Sequence, residues 1–276
     1  MMQEVYYAEW LLATLGAFPT GRVYVLHGAP DTGKSAFARY LAKEVKNQNA
    51  VTYSLYINAE RKGVDLVSFD EVLETNSLEE VVEVLIKKDH PTVAIIDSLD
   101  ALAYESGGYG GAKKASYLSM QFPLILKWLA TTRSILIVIA QARDNVSTGR
   151  GLRIAGGRAL QHYSSLTLRF NVTSTIETNR KTVGLAVKVT PIKNHITGYM
   201  TPFHLGVYKG TISPCITAML NLEAFVNIPR KGAYREYRGS KFNNFVSFCK
   251  SVYPTHKSAI LADIYTSYKA SSSIDL

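Results

Sequence analysis

The chain has 276 residues, 47% of them hydrophobic, which excludes general disorder and suits one large α/β domain or a core domain with a small appendage. Its formal net charge of +9 favours an anionic partner such as nucleic acid. The longest apolar run, residues 135–140, is too short to span a bilayer, and the first residues lack the basic start of a signal peptide. We therefore expect a cytoplasmic protein with no membrane partner.

The sequence contains two cysteines, Cys215 and Cys249, whose spacing does not match a paired metal-ligand motif. A chain expected in the cytoplasm has little use for a disulfide framework. We therefore expect two ordinary reduced thiols.

A glycine-bounded loop lies between a predicted strand at residues 23–26 and a predicted helix at residues 36–45. It has the GxxxxGK[ST] pattern of the phosphate loop, in which backbone N–H groups and a helix N-terminus face an anionic phosphate. The lysine adds a mobile positive charge, and the serine hydroxyl can bind Mg²⁺. A plain strand-turn-helix connection is the alternative. The predicted nucleotide-binding residues are Gly28, Ala29, Pro30, Asp31, Thr32, Gly33, Lys34 and Ser35.

Two further predicted strands end next to carboxylates. Residues 51–57 are followed by Glu60, and the apolar run at residues 92–96 is followed by Asp97. In a nucleotide-binding sheet, the carboxyl ends of the strands form the edge at which ligands bind. Asp97 is therefore a predicted Mg²⁺ ligand in the Walker B position, usually through water. The alternative is an aspartate that caps a turn.

Two glycine-rich segments are predicted as loops on the phosphate side of the sheet. Residues 104–112 contain four glycines, and residues 142–157 carry several arginines and follow a buried strand that ends in Gln141. The positive charges of the second loop therefore lie where an anionic polymer could reach them.

The second half of the chain has a different pattern. Alternating strands at residues 166–172, 185–189 and 203–208 predict antiparallel hairpins that extend the sheet. Beyond residue 213, a short helix precedes a basic and aromatic stretch. There the spacing of residues 242–249 favours a packed helix over a surface that stacks on nucleic acid.

The order of these motifs resembles the RecA family of recombinases. The resemblance covers most of the chain and is carried by GAPDTGKS, the pair Ala59-Glu60, VAIIDSLDAL, IVIAQAR, AGGRALQHYSS and VKVTPIKN. It implies an α/β fold with a RecA-like P-loop ATPase core: a mainly parallel central sheet, helices on both faces, an antiparallel extension and a small C-terminal α/β appendage. We predict a short N-terminal segment at residues 1–20, the core at residues 21–212 and the appendage at residues 213–276.

The resemblance also implies roles for single residues. Glu60 resembles the carboxylate that activates the attacking water, Lys34 the catalytic phosphate-loop lysine, and Gln141 the residue that senses the γ-phosphate. Lys193 matches a lysine that reaches the ATP of a neighbouring subunit. The implied cofactors are ATP and Mg²⁺, and the implied partners are single-stranded and double-stranded DNA and further subunits in a filament. The two loops imply DNA binding by Gly107, Gly108, Gly110, Gly111, Arg143, Arg150, Arg153, Gly156, Gly157 and Arg158.

The chain departs from the family pattern in several places. Few residues precede the first strand, His195 replaces the second family lysine, and His162 stands where the family commonly has phenylalanine. The aromatic residue that stacks on adenine is missing after Glu60. These losses fit a compact member such as a bacteriophage-encoded protein, which would act in the host cytoplasm.

Three functions are compatible with these residues. The first is a DNA-dependent ATPase that binds single-stranded DNA with ATP and Mg²⁺ and promotes homologous pairing and strand exchange. The alternative is a nucleotide-dependent module that binds or anneals single-stranded DNA with little ATP turnover. The third is a hexameric helicase-type motor. The lack of a linker domain before the predicted core argues against this third function.

Overall fold

A computed structural model of the protein describes residues 18–61, 67–104, 111–144, 152–154, 157–178, 180–226, 228 and 230–272. Nearly all of the predicted N-terminal segment lies outside these residues. The strands of the main sheet are β1 (Arg22–Gly28), β2 (Tyr53–Asn58), β3 (Glu71–Leu73), β4 (Thr92–Asp97), β5 (Ile135–Asp144), β6 (Leu152–Ile154), β7 (Leu166–Thr178), β8 (Lys181–Asn194), β9 (Phe203–Tyr208) and β10 (Thr211–Ile212).

The main sheet is parallel through its centre and antiparallel at one side. Its order is β10-β9-β8-β7-β1-β5-β4-β2-β3, with β6 paired to β5. The strands from β7 to β3 run parallel, and β8, β9 and β10 follow as antiparallel neighbours. Every residue of β4 is buried, as expected for a strand covered on both faces. The predicted sheet and its antiparallel extension are confirmed.

The helices are α1 (Lys34–Asn47), α2 (Leu78–Lys87), α3 (Gly111–Thr132), α4 (Gly157–Tyr163), α5 (Pro214–Phe225), α6 (Phe245–Ser247) and α7 (Tyr253–Ser272). On one face of the sheet, α1 packs Phe37 and Leu41 into an apolar cluster with β1, β4 and β5. On the other face, α2 and α3 pack Leu85 and Phe122 into a second cluster. Helices therefore cover both faces, as predicted. Within the described residues, no helix has the length and apolar character needed to cross a bilayer.

The prediction that residues 142–157 form a loop throughout is wrong at both ends. Strand β5 continues to Asp144 and pairs antiparallel with β6, so that Ala142 faces Ile154 and Asp144 faces Leu152. Glycine and arginine dominate the composition of this segment, so its short strand β6 could not be recognised from the sequence. β6 is extended because it pairs with β5. The segment thus has a hairpin stem, and its middle lies outside the described residues.

The C-terminal appendage has its own small sheet, formed by β11 (Arg230–Lys231), β12 (Tyr234–Tyr237) and β13 (Ser240–Phe242). The helix predicted at residues 242–249 begins only at Phe245, because Asn244 caps it with a reciprocal hydrogen-bond pair to Ser247. Phe242 belongs to β13 instead. It is nevertheless buried against Phe248, with ring centroids 5.0 Å apart, so packing rather than nucleic-acid stacking explains this residue.

The expectation of two reduced thiols is also wrong. Cys215 of α5 and Cys249, in a π-helical turn at Phe248–Val252, form a disulfide with their Cα atoms 5.7 Å apart. They lie 34 residues apart in sequence and meet because α5 packs through Ala218 and Leu222 in a cluster with Phe248 and Val252 of that turn. The same helix contacts the main sheet, where Ile216 fills the space beside Gly206 of β9. The bridge therefore ties the π-helical turn to α5, a helix that also packs on the main sheet.

We predict that opening this disulfide destabilises the folded protein, because a cross-link of this span is worth about 2–4 kcal/mol of unfolding free energy. Thermal denaturation should give a lower Tm for the double variant Cys215→Ser, Cys249→Ser than for the oxidised protein. A thiol reductant should lower the wild-type Tm to the same value and leave the variant unchanged. Equal Tm values for oxidised and reduced wild type would contradict the prediction.

Candidate nucleotide site

The phosphate loop lies between the end of β1 and the start of α1, and two of its glycines are required by the backbone. A Cβ atom on Gly28 would lie 2.5 Å from the carbonyl oxygen of Phe170 on β7. Gly33, the N-cap of α1, has a φ of 86°, which side chains other than glycine rarely adopt. The loop therefore packs tightly on β7 and turns directly into the helix N-terminus.

The side chain of Lys34 is buried within this loop, with 6% of its surface exposed. Its ammonium group donates to the carbonyl oxygens of Gly28, at 3.0 Å, and of Ala29, and it contacts the hydroxyl of Thr32 at 3.2 Å. Carbonyl dipoles thus stabilise the buried charge at the position where such a loop faces a phosphate.

A cavity of about 290 Å³ opens beside the loop and brings the predicted catalytic and metal-binding residues together. The antiparallel extension supplies part of its lining, and Val207 of β9 lies next to Gly33 of the loop. The cavity is lined by Pro30, Asp31, Thr32, Gly33, Lys34, Ser35, Ala36, Arg39, Glu60, Asp97, Ser98, Ile139, Gln141, Gly184, Leu185, Val207 and Gly210.

Glu60 and Gln141 are in direct contact in this cavity. The Oε1 atom of Glu60 accepts hydrogen bonds from the Ser98 hydroxyl, at 2.5 Å, and from the Gln141 side-chain amide, at 3.3 Å. The backbone N–H of Gln141 donates to Asp100 Oδ2 at 2.6 Å. The Glu60 carboxylate is therefore oriented by Ser98, which directly follows β4, and by Gln141 of β5, whose backbone is in turn held by Asp100.

Asp97 and Ser35 supply the oxygen atoms that a magnesium ion needs. Asp97 is 5% exposed, and its Oδ2 accepts a hydrogen bond from the hydroxyl of Tyr56. Burial, together with the charge of Asp97 and the hydrogen bond to it, raises the pKa of Tyr56 well above its usual value. Among the described residues, no three acidic, histidine or cysteine side chains are grouped so that they could hold a metal ion together. Mg²⁺ does not require one, because it takes one or two carboxylates with water and substrate phosphates. The donor set fits Mg²⁺.

Lys193 lies outside the cavity. Its ammonium group donates to the carbonyl oxygens of Gln161, at 2.8 Å, and His162, at 2.9 Å, in the last turn of α4. Partial burial lowers the pKa of Lys193. The lysine therefore caps a helix of its own chain, and its contact with a neighbour's nucleotide stays a prediction.

The predicted DNA-binding residues are only partly described. Gly107, Gly108, Gly110, Arg150 and Gly156 lie outside the described residues. Gly111 begins α3, and Gly157 and Arg158 begin α4. Arg143 and Arg153 are Cα partners in the hairpin of β5 and β6. Because β5 also carries Gln141, one strand connects the nucleotide cavity to the stem of the arginine-rich segment.

His27 is a buried histidine for which the sequence pattern predicted no special environment. It precedes Gly28 on β1, is 2% exposed, and neither ring nitrogen finds a hydrogen-bond partner among the described residues. Burial, followed by the charges of Arg169 and Lys34, lowers its pKa from 6.5 to about 4. The imidazole is therefore neutral near pH 7.

The sequence did not indicate several residues that line the cavity or hold its side chains in place. Ser98 and Asp100 lie in the quoted motif VAIIDSLDAL, so their proximity to Asp97 was a usable signal. The sequence carries no local signal for the remaining residues, because their positions near the cavity depend on the orientation of α1 or on pairing between distant strands. They are Arg39, Tyr56, Gly184, Leu185, Val207 and Gly210.

Comparison with known proteins gives one consistent result. Residues 10–211 match the family described as the RecA N-terminal domain. Protein RecA of Lactobacillus delbrueckii subsp. bulgaricus (strain ATCC BAA-365 / Lb-18) is 25% identical, over 95% of this chain and 75% of the relative. Protein RecA of Mycoplasma mobile is 26% identical, over 81% of this chain and 73% of the relative.

We predict that His27 makes the folded state less stable in acid. Its folded pKa lies below its unfolded value, so the unfolded chain takes up the proton first as the pH falls. The stabilisation is present above pH 6.5 and is lost towards about pH 4, with a total change of roughly 3 kcal/mol. Urea denaturation across this range should show a weaker pH dependence for His27→Leu than for wild type. The same substitution at the exposed His195 is the control, and equal pH dependence in both variants would contradict the prediction.

Proposed function

The chain belongs to the RecA family of recombination and repair proteins, and we propose that it is a DNA-dependent ATPase that promotes homologous pairing and strand exchange. The observation that carries the proposal is the contact of Glu60 with Gln141 beside the phosphate loop. A strand-edge carboxylate and a strand-edge amide thereby share one cavity with Lys34, Ser35 and Asp97.

In the proposed reaction, Glu60 accepts a proton from the water that attacks the γ-phosphorus of ATP. The bond from the γ-phosphorus to the oxygen that bridges it to the β-phosphate breaks, and ADP leaves. The Ser98 hydroxyl and the Gln141 amide hold the carboxylate in one orientation. Lys34 and the N-terminus of α1 stabilise the negative charge on the phosphate oxygens. Mg²⁺, held by Ser35 and Asp97, would neutralise further charge on the nucleotide.

We infer that Gln141 couples the nucleotide to DNA. A γ-phosphate in the cavity would compete with Glu60 for the Gln141 amide, and β5 continues from Gln141 into the hairpin stem that contains Arg143 and Arg153. A change at Gln141 would therefore reach the arginine-rich segment through a single strand. Nucleotide-dependent ordering of a binding loop is a known type of switch.

The proposed partners are single-stranded and double-stranded DNA and further copies of the chain in a filament. The net charge of +9 favours an anionic polymer, and sequence-tolerant binding needs only phosphate contacts from arginine and backbone groups. We propose a cytoplasmic location, which is the host cytoplasm if a phage encodes the protein. In such a reducing compartment the Cys215–Cys249 disulfide would be at least partly open.

The alternative, an annealing module with little ATP turnover, is not favoured. A module that only binds nucleotide gains nothing from a carboxylate held by Ser98 and Gln141 next to the phosphate loop. The turnover measurement below separates the two functions.

We predict that Glu60→Gln lowers the rate of ATP hydrolysis by about 100-fold or more, because the amide cannot accept the proton from water. Steady-state phosphate release should be measured with and without single-stranded DNA. DNA should stimulate the wild type and the control variant Glu74→Gln, which changes an exposed carboxylate. An unchanged rate in Glu60→Gln, together with no stimulation of wild type, would refute both the assignment of the base and the coupling to DNA.

We also predict that replacing Arg143, Arg150 and Arg153 together by alanine weakens DNA binding and flattens its salt dependence. Each lost phosphate contact to a single strand reduces the log–log salt slope by about 0.7, so the triple variant should lose about 2. Fluorescence anisotropy with labelled single-stranded DNA at several salt concentrations measures this slope. The control removes the same charge from exposed helix positions, with Lys43, Lys87 and Lys127 replaced by alanine. A slope equal to that of wild type would show that the arginines do not contact phosphates.

A further inference from the structure

The hydroxyl of Tyr56 is a polar group inside an otherwise apolar cluster. Tyr56 lies on β2, is 1% exposed, and packs in the cluster beneath α1. Its hydroxyl donates to Oδ2 of Asp97, the last residue of the neighbouring strand β4. A phenylalanine would fill almost the same volume without this hydrogen bond, so packing alone does not require the hydroxyl.

The ring of Tyr56 is held in place from two sides. Strand pairing sets it beside Ile95 of β4, and the ring of Phe69 packs on it at an angle of 60°, with centroids 5.1 Å apart. Because the ring cannot turn freely, the hydroxyl has a fixed direction. The Asp97 carboxylate, itself 5% exposed, is therefore fixed through one oxygen, which leaves the other oxygen for a ligand in the cavity.

We propose that Tyr56 is a positioning residue for Mg²⁺ and acts through the carboxylate of Asp97. The proposal rests on the proposed function, which gives Asp97 its role as a metal ligand. Groups that hydrogen-bond to a metal ligand orient it, and their removal typically weakens metal binding by 10- to 100-fold. Tyr56 thus sets the Mg²⁺ concentration at which the cavity binds ATP. It does not contact the nucleotide.

The test compares two tyrosines of the same apolar cluster. Tyr24 is also 1% exposed, and its hydroxyl donates to the carbonyl oxygen of Pro19 at 2.7 Å, away from the cavity. Tyr56→Phe and Tyr24→Phe therefore each remove one buried hydroxyl from the same cluster. The Tyr56 hydroxyl also has a hydrogen bond with Arg39, which lines the cavity, so the Asp97→Asn background below separates an effect through the carboxylate from one through Arg39. Equilibrium binding of a fluorescent ATP analogue is measured while Mg²⁺ is titrated, and thermal melting shows that each variant is folded.

Tyr56→Phe should need about tenfold more Mg²⁺ for half-maximal binding of the analogue, while binding in excess chelator stays within twofold of wild type. Tyr24→Phe should follow the wild-type titration. In an Asp97→Asn background, Tyr56→Phe should cause no further shift, because its effect passes through the carboxylate.

Several results would overturn the inference. A wild-type titration for Tyr56→Phe, an equal shift for Tyr24→Phe, or an undiminished shift in the Asp97→Asn background would each show that the hydroxyl is only structural. An equal loss of analogue binding by Tyr56→Phe with and without Mg²⁺ would also show that the hydroxyl is only structural. A wild-type protein that binds no analogue at any Mg²⁺ concentration would instead refute the proposed function itself.

Discussion

The parallel register of the central strands is the constraint on which the cavity depends. It sets Gly28 of β1 beside Gln141 of β5, and Asn58 of β2 beside Asp97 of β4. Groups from distant parts of the chain therefore meet at one edge of the sheet. Since side chains alternate between the faces of a strand, a slip of one residue in β4 would move Asp97 to the face away from α1 and Ser35.

Much of the fold and part of the cavity could be predicted because their signals are local. The phosphate loop has a fixed pattern, and Glu60, Asp97 and Gln141 each stand at or just after the end of an apolar run, which places them at the carboxyl edge of a parallel sheet. The part of the lining that comes from the antiparallel extension could not be predicted in this way. Leu185 and Val207 reach the cavity only through the antiparallel pairing of β8 and β9, and no local pattern indicates which groups these strands will contact.

The wrong predictions have a common physical cause. The hairpin stem at Asp144, the strand at Phe242 and the disulfide of Cys215 each depend on a partner chosen by packing. Composition describes the segment itself and says little about that partner. The hydrogen bond of the Tyr56 hydroxyl has the same cause. A tyrosine in a buried strand predicts apolar packing, and the sequence does not indicate that its hydroxyl will meet the carboxylate of Asp97.

The position of Lys193 has a consequence for assembly. Its ammonium group donates two hydrogen bonds to carbonyl groups in the last turn of α4, the helix that follows the arginine-rich segment. The Gln161 carbonyl also accepts from the Ser164 hydroxyl, so Lys193 is its second partner. An ammonium group has three N–H donors, so a neighbouring subunit's nucleotide could engage the third donor or withdraw the group from those carbonyls. Withdrawal would carry a thermodynamic cost within the subunit that supplies the lysine and would change the end of α4, whereas a contact through the third donor would leave that helix end as it is.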